Sequence, residues 1–176
     1  MRFRAATEHD VEAVAALHAD SWRRTYRGAY SDAFLDGDVF ADRLTVWSAR
    51  LAQPSNDHFT IVADDGDSIV GFAHTILDQH PELGALLENL HVSSAEKGRG
   101  VGTRLMGESA RELAARRLGS GLFLTVLEQN TAAQAFYDAR GGARVARRIG
   151  GPFPGGGTAP VFVYAWSTPA QLLGRD

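Results

Sequence analysis

A chain of 176 residues can bury one core but is too short for two ordinary domains, and 44% hydrophobic with 22% charged residues describes a folded globular domain. A formal net charge of −3, with Lys97 the sole lysine, provides no basic face for nucleic acid. No cysteine is present, which excludes disulfides, thiolate metal sites and a cysteine acyl-enzyme.

No apolar run approaches the roughly 20 residues that span a bilayer, and the N-terminus lacks a signal-peptide h-region. No membrane partner is expected, and a cytoplasmic location is the default. Arg2 to Ala6 reads as a first strand. Thr7 with Asp10 three residues on is a capping box, so a helix begins there. Val11, Val14, Ala15, His18, Trp22 and Tyr26 continue it at helical spacing, and Gly28 is expected to end it. Further helices are expected over Ser31 to Leu35 and Val39 to Leu51, the latter with Phe40, Leu44, Trp47 and Leu51 on one side.

From Asp57 the period changes to that of strands: Phe59 to Ala63, a turn around Gly66, Ser68 to Leu77, a loop from His80 to Gly84, then Leu86 to Val92. An amphipathic helix follows Gly98 to Gly102, carrying Val101, Leu105, Met106, Leu113 and Leu118, with Gly119 as its C-cap. Leu122 to Val126 is strand, Thr131 to Arg140 is helix stopped by Gly141-Gly142, and strands Ala143 to Ile149 and Val161 to Trp166 flank a Gly/Pro loop. That loop, around Phe153, is expected to lie over a surface feature. With no repeat and no linker, residues 1–176 read as one mixed α/β domain.

Strand, glycine loop and helix make an anion site: glycines let successive N–H groups turn toward one point, and the helix N-terminus adds partial positive charge. Lys97, Arg99 and Arg104 can add full charges. A dinucleotide fingerprint would want glycine at Thr103, and a nucleoside-triphosphate loop would want Gly-Lys-Ser/Thr; neither fits. An ordinary turn stays open on this run alone.

The glycine loop resembles motif A of the GNAT acetyltransferases. Downstream, Leu124-Thr-Val126 through Asn130, Ala133, Phe136-Tyr137 and Gly141 resembles their motif B, in order and about 30 residues on. The match covers roughly Leu86 to Gly142, and one departure stands out at Lys97, where Arg or Gln is usual. The resemblance implies a GNAT fold: a mostly antiparallel, twisted sheet of about seven strands, splayed between the fourth and fifth, with four to five helices around it. It also implies acetyl-CoA as cosubstrate. The pantetheine arm would bond backbone at Leu90, His91 and Val92. The pyrophosphate would sit on Lys97, Gly98, Arg99, Gly100, Val101, Gly102 and Thr103. Asn130, with Ala133 and Phe136 beside it, would hold the arm, and the Tyr137 hydroxyl would face the thioester sulfur.

Each residue has a plainer reading as well. Tyr137 can be a packed aromatic, Asn130 an N-cap, and His91, like His18 and His74, a satisfied buried histidine. Glu88 is expected by period two to share a face with Leu90 and Val92, opposite Asn89 and His91. It is a candidate general base or a carboxylate that recognises a cationic substrate. Trp22, Tyr26 and Phe34 are candidates for the acceptor pocket, Trp22 also for core. No histidine–carboxylate spacing suits a metal, so none is expected. The implied reaction is acetyl transfer to a primary amine, with a small-molecule acceptor as first reading. A protein N-terminal or lysine acetyltransferase and a non-catalytic acyl-CoA sensor are the alternatives. Homodimerisation stays open.

Overall fold

The computed structural model describes residues 1–53, 55–116 and 121–173. β1 (Arg2–Ala5) leads through a 3-10 turn to α1 (Val11–Thr25), α2 (Asp32–Asp36) and α3 (Val39–Leu51). β2 (His58–Asp64), β3 (Ile69–His80) and β4 (Gly84–Val92) follow, then α4 (Val101–Ala115), β5 (Leu122–Leu127), α5 (Thr131–Asp138), β6 (Ala143–Gly150) and β7 (Ala159–Trp166). The expected capping box is present. The Thr7 N–H donates to Asp10 Oδ2 at 2.8 Å, and the Arg4 guanidinium grips the same carboxylate at 2.7 and 2.8 Å. Arg4 thereby holds the Asp10 carboxyl below its usual range.

Boundaries differ from expectation where turns intervene. α1 ends at Thr25 rather than Gly28, because Tyr26 leaves helical geometry and its carbonyl accepts from both Ala29 and Tyr30. Gly28 then sits in the turn at φ +83°. β3 runs on to His80 and β4 starts at Gly84, which shrinks the expected loop to three residues. α5 ends at Asp138, two residues before Arg140. The expected Leu118 and the cap at Gly119 lie outside the described residues.

The strands form one sheet in the order β1-β2-β3-β4-β5-β7-β6. Every neighbouring pair is antiparallel except β4–β5, whose parallel ladder holds only at Ala85↔Leu122 and Leu86↔Phe123. Beyond Leu86 these two strands diverge. α4 buries Leu105, Met106, Ala110 and Leu113 on one sheet face, where Tyr137 of α5 joins Tyr164 and Trp166 of β7. Each such leucine contributes roughly 1.5–3 kcal/mol by leaving water. On the other face, α1 and α3 bring Val14, Ala15 and Trp47 against Val62 and Phe72.

Candidate active site

The glycine loop is an open cradle. Gly98 and Gly100 adopt φ +77° and +82°, where a side chain is strained, and a Cβ at either would meet nothing within 4 Å. The first helical hydrogen bond of α4 runs from Arg104 N–H to Gly100 O. The N–H groups of Val101, Gly102 and Thr103 precede it and have no hydrogen-bond partner among the described residues, which suits an anion. The Val101 side chain is buried in the core and anchors the turn. Gly102 allows close packing, since a Cβ there would lie 3.3 Å from Phe136 and 3.7 Å from Val92. Lys97 is exposed, and Arg99 pairs with Glu96 at 2.9 Å.

Arg140 was not singled out by the sequence, yet it ties the two motifs together. Its guanidinium lies 3.8 Å from the Phe136 ring centroid, and its Nε donates to Thr103 Oγ1 at 3.0 Å. α5 is thus held against the start of α4. Asn130 caps α5: its Oδ1 accepts from the Ala133 N–H at 3.2 Å, and its Nδ2 makes no hydrogen bond among the described residues.

The divergence of β4 from β5 exposes backbone. Ser93 N–H donates to Val70 O on β3, so strand alternation turns the N–H groups of Val92 and Leu90 toward the opening. Their side chains pack on the α4 face. His91 is turned away. Its Nδ1 lies 2.7 Å from Ser21 Oγ, its ring sits 4.6 Å from His18 and 5.2 Å from Phe72, and its carbonyl faces Gly71. The expectation that His91 contacts the cofactor therefore gives way to its plainer reading as a buried wall. Burial pushes its imidazole down to about 3, and His74 likewise to about 3; His18 falls well below the usual range.

The Tyr137 ring packs between Phe136, Tyr164 and Trp166 at centroid distances of 5.3, 5.7 and 6.2 Å. Its hydroxyl makes no hydrogen bond among the described residues. Burial raises the phenol above its ordinary range and the nearby Tyr26 phenol adds to the shift, so Tyr137 stays protonated at neutral pH. Burial pushes Tyr26 itself up to about 12.

On the α1–α3 face a cavity of about 350 Å³ opens between Trp22 and Tyr26 of α1, Arg43 and Arg50 of α3, Glu88 and Asn89 of β4, and Thr125 and Leu127 of β5. Tyr30 and Phe153 complete it, stacked at 4.9 Å and 19°. The expected covering loop is in place, since Phe153 and Pro154 both line the cavity. Phe34 does not line it. That ring packs beneath the loop instead, where a Cβ on Gly155 would come within 2.5 Å of Phe34 Cβ. Tyr30, Arg43 and Arg50 went unassigned in the sequence. Arg43 and Arg50 are seven residues apart and so share a helix face, the one signal that pairs them.

Glu88 corrects the period-two expectation. Thr75 pairs with Leu87 and His74 with Asn89, so Glu88 is the extra residue of a β-bulge. The bulge moves Glu88 to the face of Asn89 and His91, away from Leu90 and Val92. Its Oε2 lies 2.6 Å from Arg50 Nη1 and accepts from Asn89 Nδ2 at 2.8 Å.

Residues 13–142 match the Acetyltransferase (GNAT) family. The chain is 27% identical over 145 residues to the uncharacterized N-acetyltransferase YuaI of Bacillus subtilis (strain 168), covering 81% of this chain and 80% of that protein. Its fold matches the PaiA N-acetyltransferase of Thermoplasma acidophilum in complex with coenzyme A (TM-score 0.72, 16% identity, 94% of this chain and 98% of that one). It also matches YncA of Salmonella typhimurium with its cofactor acetyl-CoA (TM-score 0.68, 19% identity, 95% and 93%). Open glycine cradle, splayed strands and capped α5 agree with that kinship: the chain belongs to the GNAT acetyltransferase family.

Proposed function

We propose that this chain transfers the acetyl group of acetyl-CoA directly to the primary amine of a small molecule bound in the cavity. One observation carries the reading: the strands that part to expose the Leu90 and Val92 amides, β4 and β5, also furnish the cavity wall through Glu88, Asn89, Thr125 and Leu127. Phe153 and Pro154 wall one side of the cavity, which suits a small acceptor better than a polypeptide.

Acetyl-CoA supplies an activated acyl carbonyl. The amides of Val101, Gly102 and Thr103 hold its pyrophosphate, and the free amide of Asn130 holds its arm. The Val92 N–H donates to the carbonyl oxygen as negative charge grows there. The incoming ammonium first loses a proton, to Glu88 directly or through water, since no other carboxylate lines the cavity. As the carbon–nitrogen bond forms and the carbon–sulfur bond breaks, the Tyr137 hydroxyl gives its proton to the sulfur, and the second proton leaving the nitrogen passes through water to restore the phenol. Tyr26, which lines the cavity, also helps to raise the Tyr137 phenol, so the cavity and the proton donor are neighbours.

The test is release of free thiol from acetyl-CoA across a panel of small amines, repeated with Tyr137→Phe. Turnover should fall by roughly 10- to 1,000-fold while acetyl-CoA binding persists. Wild-type turnover by the variant would remove Tyr137 as proton donor, and thiol release with no small amine would overturn the acceptor class.

A further inference from the structure

The charge of the cavity points to its acceptor. Arg43, Arg50 and Glu88 are its charged lining residues, two guanidiniums against one carboxylate. Arg50 and Glu88 offset one another at 2.6 Å. Arg43 is different. Its side chain is only 9% exposed, and its guanidinium stacks 4.2 Å from the Trp22 ring centroid. Its Nε and Nη2 donate to Asp42, a carboxylate 36% exposed that is not among the lining residues, while Nη1 makes no hydrogen bond among the described residues. A guanidinium held in place, desolvated and with a free edge is a receptor for a carboxylate.

The neutral lining adds to this bias. Tyr26 and Tyr30 line the cavity, and neither hydroxyl makes a hydrogen bond among the described residues. The Asn89 amide already serves Glu88. With Arg43 Nη1 these hydroxyls give an anion several donors, and Glu88 Oε1 makes no hydrogen bond among the described residues. A polyamine would put added positive charge beside Arg43 with half of Glu88 to answer it. An acceptor carrying both signs fits better, its ammonium at Glu88 and its anion at Arg43.

We propose that the acceptor is an amino acid-like zwitterion, a primary amine bearing a carboxylate that Arg43 binds. This rests on the reading of the cavity as the acceptor site, and it narrows the substrate class within that reading.

The experiment reads binding as well as turnover. N-acetyl amino acids retain the carboxylate of the product and lack the amine, so calorimetric titration of N-acetyl derivatives of the common amino acids into protein saturated with coenzyme A probes the anion subsite alone. At least one should bind, and its carboxamide should bind about 10- to 100-fold more weakly, the span of one lost charge-assisted pair. Arg43→Gln should erase that difference; the wild-type comparison of acid and amide decides the proposal even if that variant does not fold. Equal affinity for acids and amides, or no binding by any acid, overturns the proposal. Acetyl transfer to small amines is judged separately: it fails if neither the free amino acids nor their amides release thiol from acetyl-CoA, and it survives if amides are acetylated as well as acids.

Discussion

Around the glycine loop the polar groups that face outward are main-chain amides of Val101, Gly102 and Thr103, whereas around the cavity they are side chains drawn from α1, α3, β4, β5 and the loop carrying Phe153. The first site stands on consecutive residues whose backbone angles create it. The second stands on packing, and beneath it lie three buried histidines: His18 and His91 in ring contact, and His74 against Trp47 at 5.3 Å. The α4–α5 face contributes no histidine, because none of the six falls in its helices. The two sites should therefore fail under different insults. A main-chain site is lost through local strain, and a side-chain site through titration or loss of a packing partner.

Acid gives the largest expected effect. His18, His74 and His91 are held neutral when folded, below their unfolded value near 6.5. Their stabilisation is complete above that value. It is lost as the pH falls toward the folded values, because the unfolded chain takes up protons first. On the order of 4 kcal/mol should disappear between about pH 7.5 and about pH 5.5 if all three act. Urea unfolding across that range measures it, and His74→Gln should flatten the slope by about a third. A flat profile would show that the histidines find water when folded, and the contrast between the two faces would collapse.

Next in size is strain in the cradle. Gly100→Val places a β-branched residue at φ +82° and should abolish the rise in melting temperature that acetyl-CoA produces, about 4 kcal/mol at a thousand times Kd. A variant that keeps the rise would mean that side chains such as Lys97 and Arg99, not amides, hold the pyrophosphate. The smallest effect falls on the covering loop. Phe153→Ala removes the ring stacked on Tyr30 and should raise the acceptor KM by about 2- to 10-fold while sparing the acetyl-CoA response. Equal damage to both would join the two sites into one cooperative unit.

By itself the sequence determined the elements, the glycine turn and the cap of α5, since each depends on neighbours a few residues apart: Gly98 and Gly100 on their own backbone angles, Asn130 on the Ala133 N–H. Tertiary structure decided what faces the cavity. Strict alternation put Glu88 with Leu90, but register against β3 inserts it as a bulge and turns it to Arg50, and no property of β4 alone reports where a partner strand slips. Phe34 and Tyr30 lie four residues apart with similar aromatic character, yet one lies beneath the loop and the other lines the cavity. Arg43 reads as an ordinary charge at the edge of the α3 stripe. The Trp22 ring approaching from α1 covers it, because a side chain's desolvation is set by residues distant in the chain.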